Sequence, residues 1–243
     1  MINYKKEIIK SIEGLSGKYH KWRIFDDFIS IMALTIRNSV NIVDWKKKED
    51  EYFKIIEKYT VKEMDVFADM FAKLVMAFER EKTDILGEIF MELDIANKWQ
   101  GQFFTPMDIS DLMAGMTIGD NLEEIIKQKG YITVNEPAVG GGAMVISVAK
   151  ALEKKGYNYQ KQMVVIAQDL DIKAVQMAYI QLSLLGIAAN VVHMNTLSMK
   201  IFEEWKTPFY ILGNWEYKLR KQESKKKQFF NFEEDETGQL KIS

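Results

Sequence analysis

Tyr131-Ile132-Thr133-Val134-Asn135-Glu136-Pro137-Ala138-Val139-Gly140-Gly141-Gly142 is the stretch on which the fold turns. Residues 131–134 form a short, partly β-branched apolar run. A proline and three consecutive glycines follow, and then apolar residues at helical spacing over about 143–153. A strand that passes through glycines into a helix opens a crossover unit. Two further runs of the same kind, 163–167 and 189–192, flank a second helical pattern over 172–185. Strands alternating with helices predict an α/β fold with parallel strands. A fourth run, 208–212, is the next candidate strand.

Open α/β sheets bind ligands beyond the carboxyl ends of their strands, so the residues after each predicted strand carry the functional signal. After the first come Glu136 and the glycines. These permit positive φ and a close backbone approach, while the helix that follows offers free amide donors. After the second come Gln168-Asp169-Leu170-Asp171, with a carboxylate placed to accept both hydroxyls of a ribose. After the third come His193-Met194-Asn195-Thr196, with an amide able both to donate to and accept from an adenine edge. Taken singly these have ordinary readings: a glycine turn, and helix caps at Asp169 and Asn195. Their succession at three strand ends points to a nucleotide-type pocket. A nicotinamide cofactor fits poorly, because Val145 holds the third position of the glycine fingerprint and Asp169 falls later than the usual ~20 residues.

Upstream, residues 4–93 read as helical. Phe25, Phe28, Ile29, Met32 and Ile36 form one apolar stripe, and Met64, Phe67, Met70, Phe71, Leu74, Met76 and Phe78 another; both are expected to pack as core. Residues 44–58 are dense in charge and expected to face solvent. Gly101-Gln102-Phe103-Phe104-Thr105-Pro106 reads as a loop opening a helix. After Asn214 about thirty residues remain: a lysine-rich stretch at 218–227, and then two short runs around an acidic turn that suit a hairpin. The organisation expected is a helical domain over 1–97, an α/β core over 98–217 and a charged tail or hairpin over 218–243.

Composition removes several functions. With no cysteine and only 2 histidines, far apart at His20 and His193, neither disulfides nor thiolate chemistry is available and a zinc site is not expected. A formal net charge of −2 means that a nucleic-acid partner would have to meet a local basic face. The first ten residues lack the apolar run of a signal peptide, and no stretch approaches the ~20 apolar residues that span a bilayer. A soluble, cytoplasmic protein with no membrane partner is expected.

Phe103-Phe104-Thr105-Pro106, Glu136-Pro137-Ala138-Val139-Gly140-Gly141-Gly142, Gln168-Asp169-Leu170-Asp171 and Asn195-Thr196-Leu197 together resemble, in order and spacing, the adenine-specific (N6) DNA methyltransferases of the type I restriction-modification modification-subunit kind. The resemblance covers about residues 84–214. It implies a Rossmann-like S-adenosylmethionine-dependent methyltransferase sheet behind a helical N-terminal domain. It also implies roles. Phe103, Phe104, Thr105 and Pro106 would close over the methionine moiety. Glu136, Pro137, Ala138, Gly140 and Gly142 would hold the amino-acid end of S-adenosylmethionine, Asp169 its ribose and Asn195 its adenine.

The family's catalytic Asn/Asp-Pro-Pro-Tyr/Phe appears as Asn214-Trp215-Glu216-Tyr217, which keeps the amide and the terminal aromatic and replaces both prolines. If the motif acts, Asn214 orients the adenine amino group and Tyr217 stacks on the flipped base. The alternative is a catalytically degenerate binding or regulatory subunit; a small-molecule methyltransferase is a weaker third reading. The partners implied are DNA and, for target recognition, a partner subunit in a homo- or hetero-oligomer.

Overall fold

A computed structural model describes residues 2–93, 104–119, 121–229, 232–234 and 240–242. The helical half consists of α1 (Tyr4–Leu15), α2 (Lys21–Val40), α3 (Trp45–Ile56), α4 (Val61–Arg80) and α5 (Ile85–Glu92). Three of these helices, α1, α4 and α5, begin at side-chain caps. Asn3 accepts from the Lys6 amide, Thr60 and Glu63 form a reciprocal capping box, and Asp84 accepts from the Gly87 amide. The predicted stripes are buried at Phe25, Phe28, Ile29, Met32, Phe67, Met70, Leu74 and Phe78, whereas Met76 faces out.

Next come α6 (Met107–Thr117) and α7 (Leu122–Lys129), then β1 (Ile132–Glu136), α8 (Ala143–Lys154), the single turn α9 (Tyr159–Gln162), β2 (Met163–Asp169), α10 (Ile172–Leu184) and β3 (Ala188–Asn195). The chain continues through β4 (Lys200–Lys206), α11 (Pro208–Leu212) and α12 (Trp215–Phe229) to a hairpin of β5 (Phe232–Glu234) and β6 (Leu240–Ile242). The main sheet runs β1-β2-β3-β4, with β1, β2 and β3 parallel and β4 antiparallel at one edge; β1 is the other edge. The α/β fold and the three parallel strands are therefore as read from the sequence; a terminal hairpin forms too, but α12 runs on to Phe229 and β5 takes up Phe232–Glu234, the start of the expected acidic turn.

Because β1, β2 and β3 step in one direction, right-handed crossovers place α8 and α10 on the same face of the sheet. On that face Met163, Val165, Ala167, Ala189 and Val191 are fully buried, in one apolar cluster that extends through α10 and α2 into the helical half. The register pairs Val164 with Thr133 and with Ala188, so these side chains point to the opposite face. There Val164 and Ala188 are covered by Tyr210 and Trp215, while Thr133 and Asn135 are exposed.

The fourth strand is not where the apolar run predicts it. Residues 208–212 form α11, because Thr207 caps the turn by accepting from the Tyr210 amide and Pro208 occupies the first helical position, where its missing N–H costs nothing. The strand lies upstream, at β4. Asn195 makes the turn into it, its Oδ1 accepting from the Leu197 and Ser198 amides at 3.0 Å each, and Met199 takes a positive φ of 57°.

Strand β4 is tied to the helical half by charge. Glu203 reaches Arg37 at 2.6 Å and Lys48 at 2.7 Å, and both cations lie over the buried Trp205 ring. Lys48 is thus the exception to the solvated reading of residues 44–58. Burial pushes the Glu203 carboxyl up, but its hydrogen bonds and attraction to Lys48 and Arg37 outweigh this and hold it below its ordinary range.

A carboxylate with a depressed folded-state pKa stabilises the fold above its unfolded pKa and loses that contribution as pH falls through the folded value. Wild-type protein should therefore lose stability in urea titrations as pH drops below about 4.3, the unperturbed glutamate value. Glu203→Gln should lack that component and be less stable at pH 7 by about 1–3 kcal/mol, since the buried Arg37 and Lys48 lose the carboxylate they share and keep only Asp44 and Glu51, at 2.8 Å each.

Candidate cofactor site

The carboxyl ends of β1 and β2 hold a small number of interlocking contacts. Glu136 closes β1, and its carboxylate accepts from the Ala138 amide at 3.1 Å. The Val139 amide donates to the Gln168 carbonyl at 2.8 Å, which ties the loop to β2. Gly140 and Gly142 adopt φ of 54° and 105°, as a loop turning sharply from strand into helix requires. Asp169, the expected ribose carboxylate, ends β2. Its two oxygens accept from the Gly140 and Asp171 amides at 2.9 Å each. The cap of α10 is Asp171, accepting from the Lys173 amide at 2.8 Å, so Asp169 is not spent on that duty.

Beside this loop the Phe104 ring lies over Gly140, where an added Cβ would come within 2.9 Å of it, and packs edge-on against Phe90 at 5.1 Å. Pro106 stands at the start of α6, with Thr105 and Pro106 both exposed. Phe103 lies outside the described residues. Between the Phe104–Thr105 segment and the glycine loop is a cavity of about 200 Å³, lined by Asp84, Ser110, Glu136 and Gly140 among others. Its charged lining, among the described residues, consists of two carboxylates, Asp84 and Glu136. Burial raises the pKa of both, and the Asp169 charge pushes Glu136 further up. Ser110 is fully buried, and its Oγ has no hydrogen-bond partner among the described residues. A buried hydroxyl left unpaired calls for a partner that the described residues do not supply.

The predicted cofactor residues Phe104, Thr105, Pro106, Glu136, Pro137, Ala138, Gly140, Gly142 and Asp169 are thus brought to one end of the sheet. Asn195 ends β3 at the same end, on the far side of β2, with its amide oxygen engaged in the turn to β4.

Asn214 and Tyr217 are not part of this constellation. Trp215 packs edge-on against Tyr131 at 4.9 Å, and Tyr131 immediately precedes β1, at its amino end. The 5 residues of β1 put about 16 Å between that end and Glu136, at ~3.3 Å per residue. Asn214 takes a left-handed φ of 51°, and Tyr217 is 58% exposed beside a cleft lined by Lys129, Lys161, Lys218 and Lys221.

Two residues lining the cavity escaped the sequence reading, Asp84 and Ser110; Asp84 shows in the structure as the cap of α5, and Ser110 carried no local signal.

A model of the N-6 DNA methylase family matches residues 62–240. A curated relative, the type I restriction enzyme MpnII methylase subunit of Mycoplasma pneumoniae, is 34% identical over 83 residues, which are 32% of this chain and 14% of that protein. The chain thus spans a small part of the relative it matches. Among solved structures, the methyltransferase subunit of a type I restriction-modification system from Streptococcus thermophilus aligns over 79% of this chain and 39% of its own, at 15% identity and a TM-score of 0.42. With the family model spanning the glycine loop, Asp169, the whole main sheet and the last two helices of the helical half, the chain belongs to the N-6 DNA methylase family.

Proposed function

We propose that this chain binds S-adenosylmethionine at the carboxyl ends of β1 and β2, as the cofactor-holding part of a DNA adenine methyltransferase-like protein. The observation that carries the reading is the Gly140 amide held by Asp169 beside a cavity walled by carboxylates and an unpaired buried hydroxyl. The amino-acid end of the cofactor carries an ammonium group, for which the Glu136 carboxyl at the cavity wall offers an acceptor. Glu136, Ala138, Gly140 and Gly142 take its amino-acid end, with Phe104, Thr105 and Pro106 covering it. A carboxylate offers about four lone-pair sites, so Asp169 can keep its two backbone donors and still accept ribose hydroxyls. Asn195 would reach the adenine with its amide hydrogens. When bound, the cofactor supplies an electrophilic methyl group for transfer to an adenine amino nitrogen.

Two readings divide on turnover. Methyl transfer by this chain needs Asn214 and Tyr217 beside the cofactor, and a misplacement of even 1 Å can cost about 100-fold in rate. Their place at the opposite end of the sheet favours the second reading, a binding or regulatory subunit that transfers no methyl group by itself and meets its DNA through a partner chain.

In calorimetric titrations wild-type protein should bind S-adenosylmethionine, and Asp169→Ala should weaken binding by at least about 10-fold, the worth of one lost charge-assisted hydrogen bond. Equal affinities would overturn the site. Protein incubated with tritiated cofactor and adenine-containing duplex should leave the DNA unlabelled, and robust labelling by the chain alone would sink the second reading. Restoring the family prolines in a Trp215→Pro, Glu216→Pro double variant should bring no methylation and should lower the unfolding free energy by about 3 kcal/mol or more, because Trp215 is a buried core side chain.

A further inference from the structure

Asp84 has so far served only as a wall of the cavity and Gln181 not at all, yet Gln181 bonds the glycine loop directly and Asp84 lies against it. Asp84 is 3% exposed and Gln181 is fully buried. Gln181 Nε2 donates to Asp84 Oδ1 at 2.7 Å and to the Gly141 carbonyl at 2.6 Å, while its Oε1 accepts from the Leu86 amide at 3.0 Å. Asp84 Oδ1 also accepts from the Gly87 amide at 2.8 Å. One amide side chain on α10 therefore joins the start of α5 to the loop between β1 and α8. The fit is closed on both sides: a Cβ added at Gly87 or at Gly141 would collide with the Asp84 carboxylate.

Capping alone does not explain this arrangement. Serine or asparagine caps a helix about as well as aspartate, without the desolvation of a buried carboxyl group. What the longer side chain adds over serine is reach to the Gln181 amide, whose second hydrogen then holds the Gly141 carbonyl. That carbonyl belongs to the peptide between Gly141 and Gly142, so fixing it fixes the loop whose Gly140 amide meets Asp169.

We propose that Asp84 and Gln181 are positioning residues that preorganise the Gly140–Gly142 loop for the cofactor, by clamping the Gly141 carbonyl to the start of α5. The inference rests on the cofactor reading above. It assigns neither residue a contact with the cofactor itself.

The test compares wild type with Asp84→Asn, Asp84→Ser, Gln181→Met and the Asp84→Ser, Gln181→Met double variant. S-adenosylmethionine affinity is measured by calorimetry, amide hydrogen exchange over residues 138–142 without ligand, and thermal midpoint alongside. Asp84→Ser keeps a capping oxygen but cannot reach Gln181, so it remains a test if Gln181→Met fails to fold. Gln181→Met and Asp84→Ser should each weaken binding roughly 10- to 100-fold, as loss of supporting contacts to a binding loop does. Each should speed exchange in the loop while leaving β2 protected. The double variant should be no worse than the weaker single, because both break one linkage. Asp84→Asn keeps the acceptor and should bind within about 3-fold of wild type.

Folded variants that bind as wild type with unchanged loop exchange would overturn the clamp. So would an Asp84→Asn variant as defective as Asp84→Ser, which would mean that the charge meets the ligand directly. If wild type binds no cofactor, the functional reading fails, and the ligand-free exchange data still decide whether the clamp holds the loop.

Discussion

Three parallel strands joined by two right-handed crossovers must carry both connecting helices on one face, and the remainder of this molecule is arranged around that asymmetry. On the crossover face, α10 is sandwiched between the sheet and α2, so the helical half shares one continuous core with the α/β half. Polar groups at that seam are matched in turn: Lys173 Nζ donates to Ser30 Oγ at 2.6 Å and pairs with Asp26 at 3.1 Å. The same helix carries Gln181, and through it the packing of the helical half reaches the glycine loop. The site is thus supported by elements more than ninety residues apart in the chain, Gln181 and Asp84 being separated by 97 positions.

The opposite face explains the fate of the Asn214-Trp215-Glu216-Tyr217 segment. Val164 and Ala188 present apolar surface there, and Tyr210 and Trp215 cover it. Trp215 stands where the family pattern has its first proline, and it is a large side chain that burial rewards strongly. Glu216 stands at the second and pairs with Lys206 at 2.8 Å and Arg220 at 2.6 Å. Both replacements therefore have structural employment at the amino end of the sheet. That employment holds Asn214 and Tyr217 away from the cofactor loop.

Much of this was legible in the residues because it is local. Strand-turn-helix at residues 131–143, the carboxylate closing β2 and the helical stripes around Phe28 and Phe67 follow from periodicity and turn chemistry, which neighbouring residues determine. Elsewhere a competing local signal or tertiary context decides. Phe209, Tyr210, Ile211 and Leu212 look like a strand, but the cap at Thr207 and Pro208 selects a helix. The true edge strand β4 alternates around Glu203 and Trp205, and its charges hide it until Arg37 and Lys48 arrive from the helical half. Asp84, Ser110 and Gln181 owe their place in the site to long-range packing that no local pattern encodes. The type of fold and most of the proposed cofactor contacts were readable, whereas the support beneath them and the position of Asn214 were not.

The sheet's outer border at β1 has a consequence for how the protein behaves in solution. Among the described residues no strand pairs with that border, and a row of free backbone amides and carbonyls invites another chain to add itself there. Here the invitation is weak. β1 is only 5 residues long, its exposed face presents Thr133 and Asn135, and a proline follows Glu136 directly. A short, polar border stopped by proline is poor material for runaway β-stacking, so this edge of the sheet needs no cover to keep a second strand from extending it.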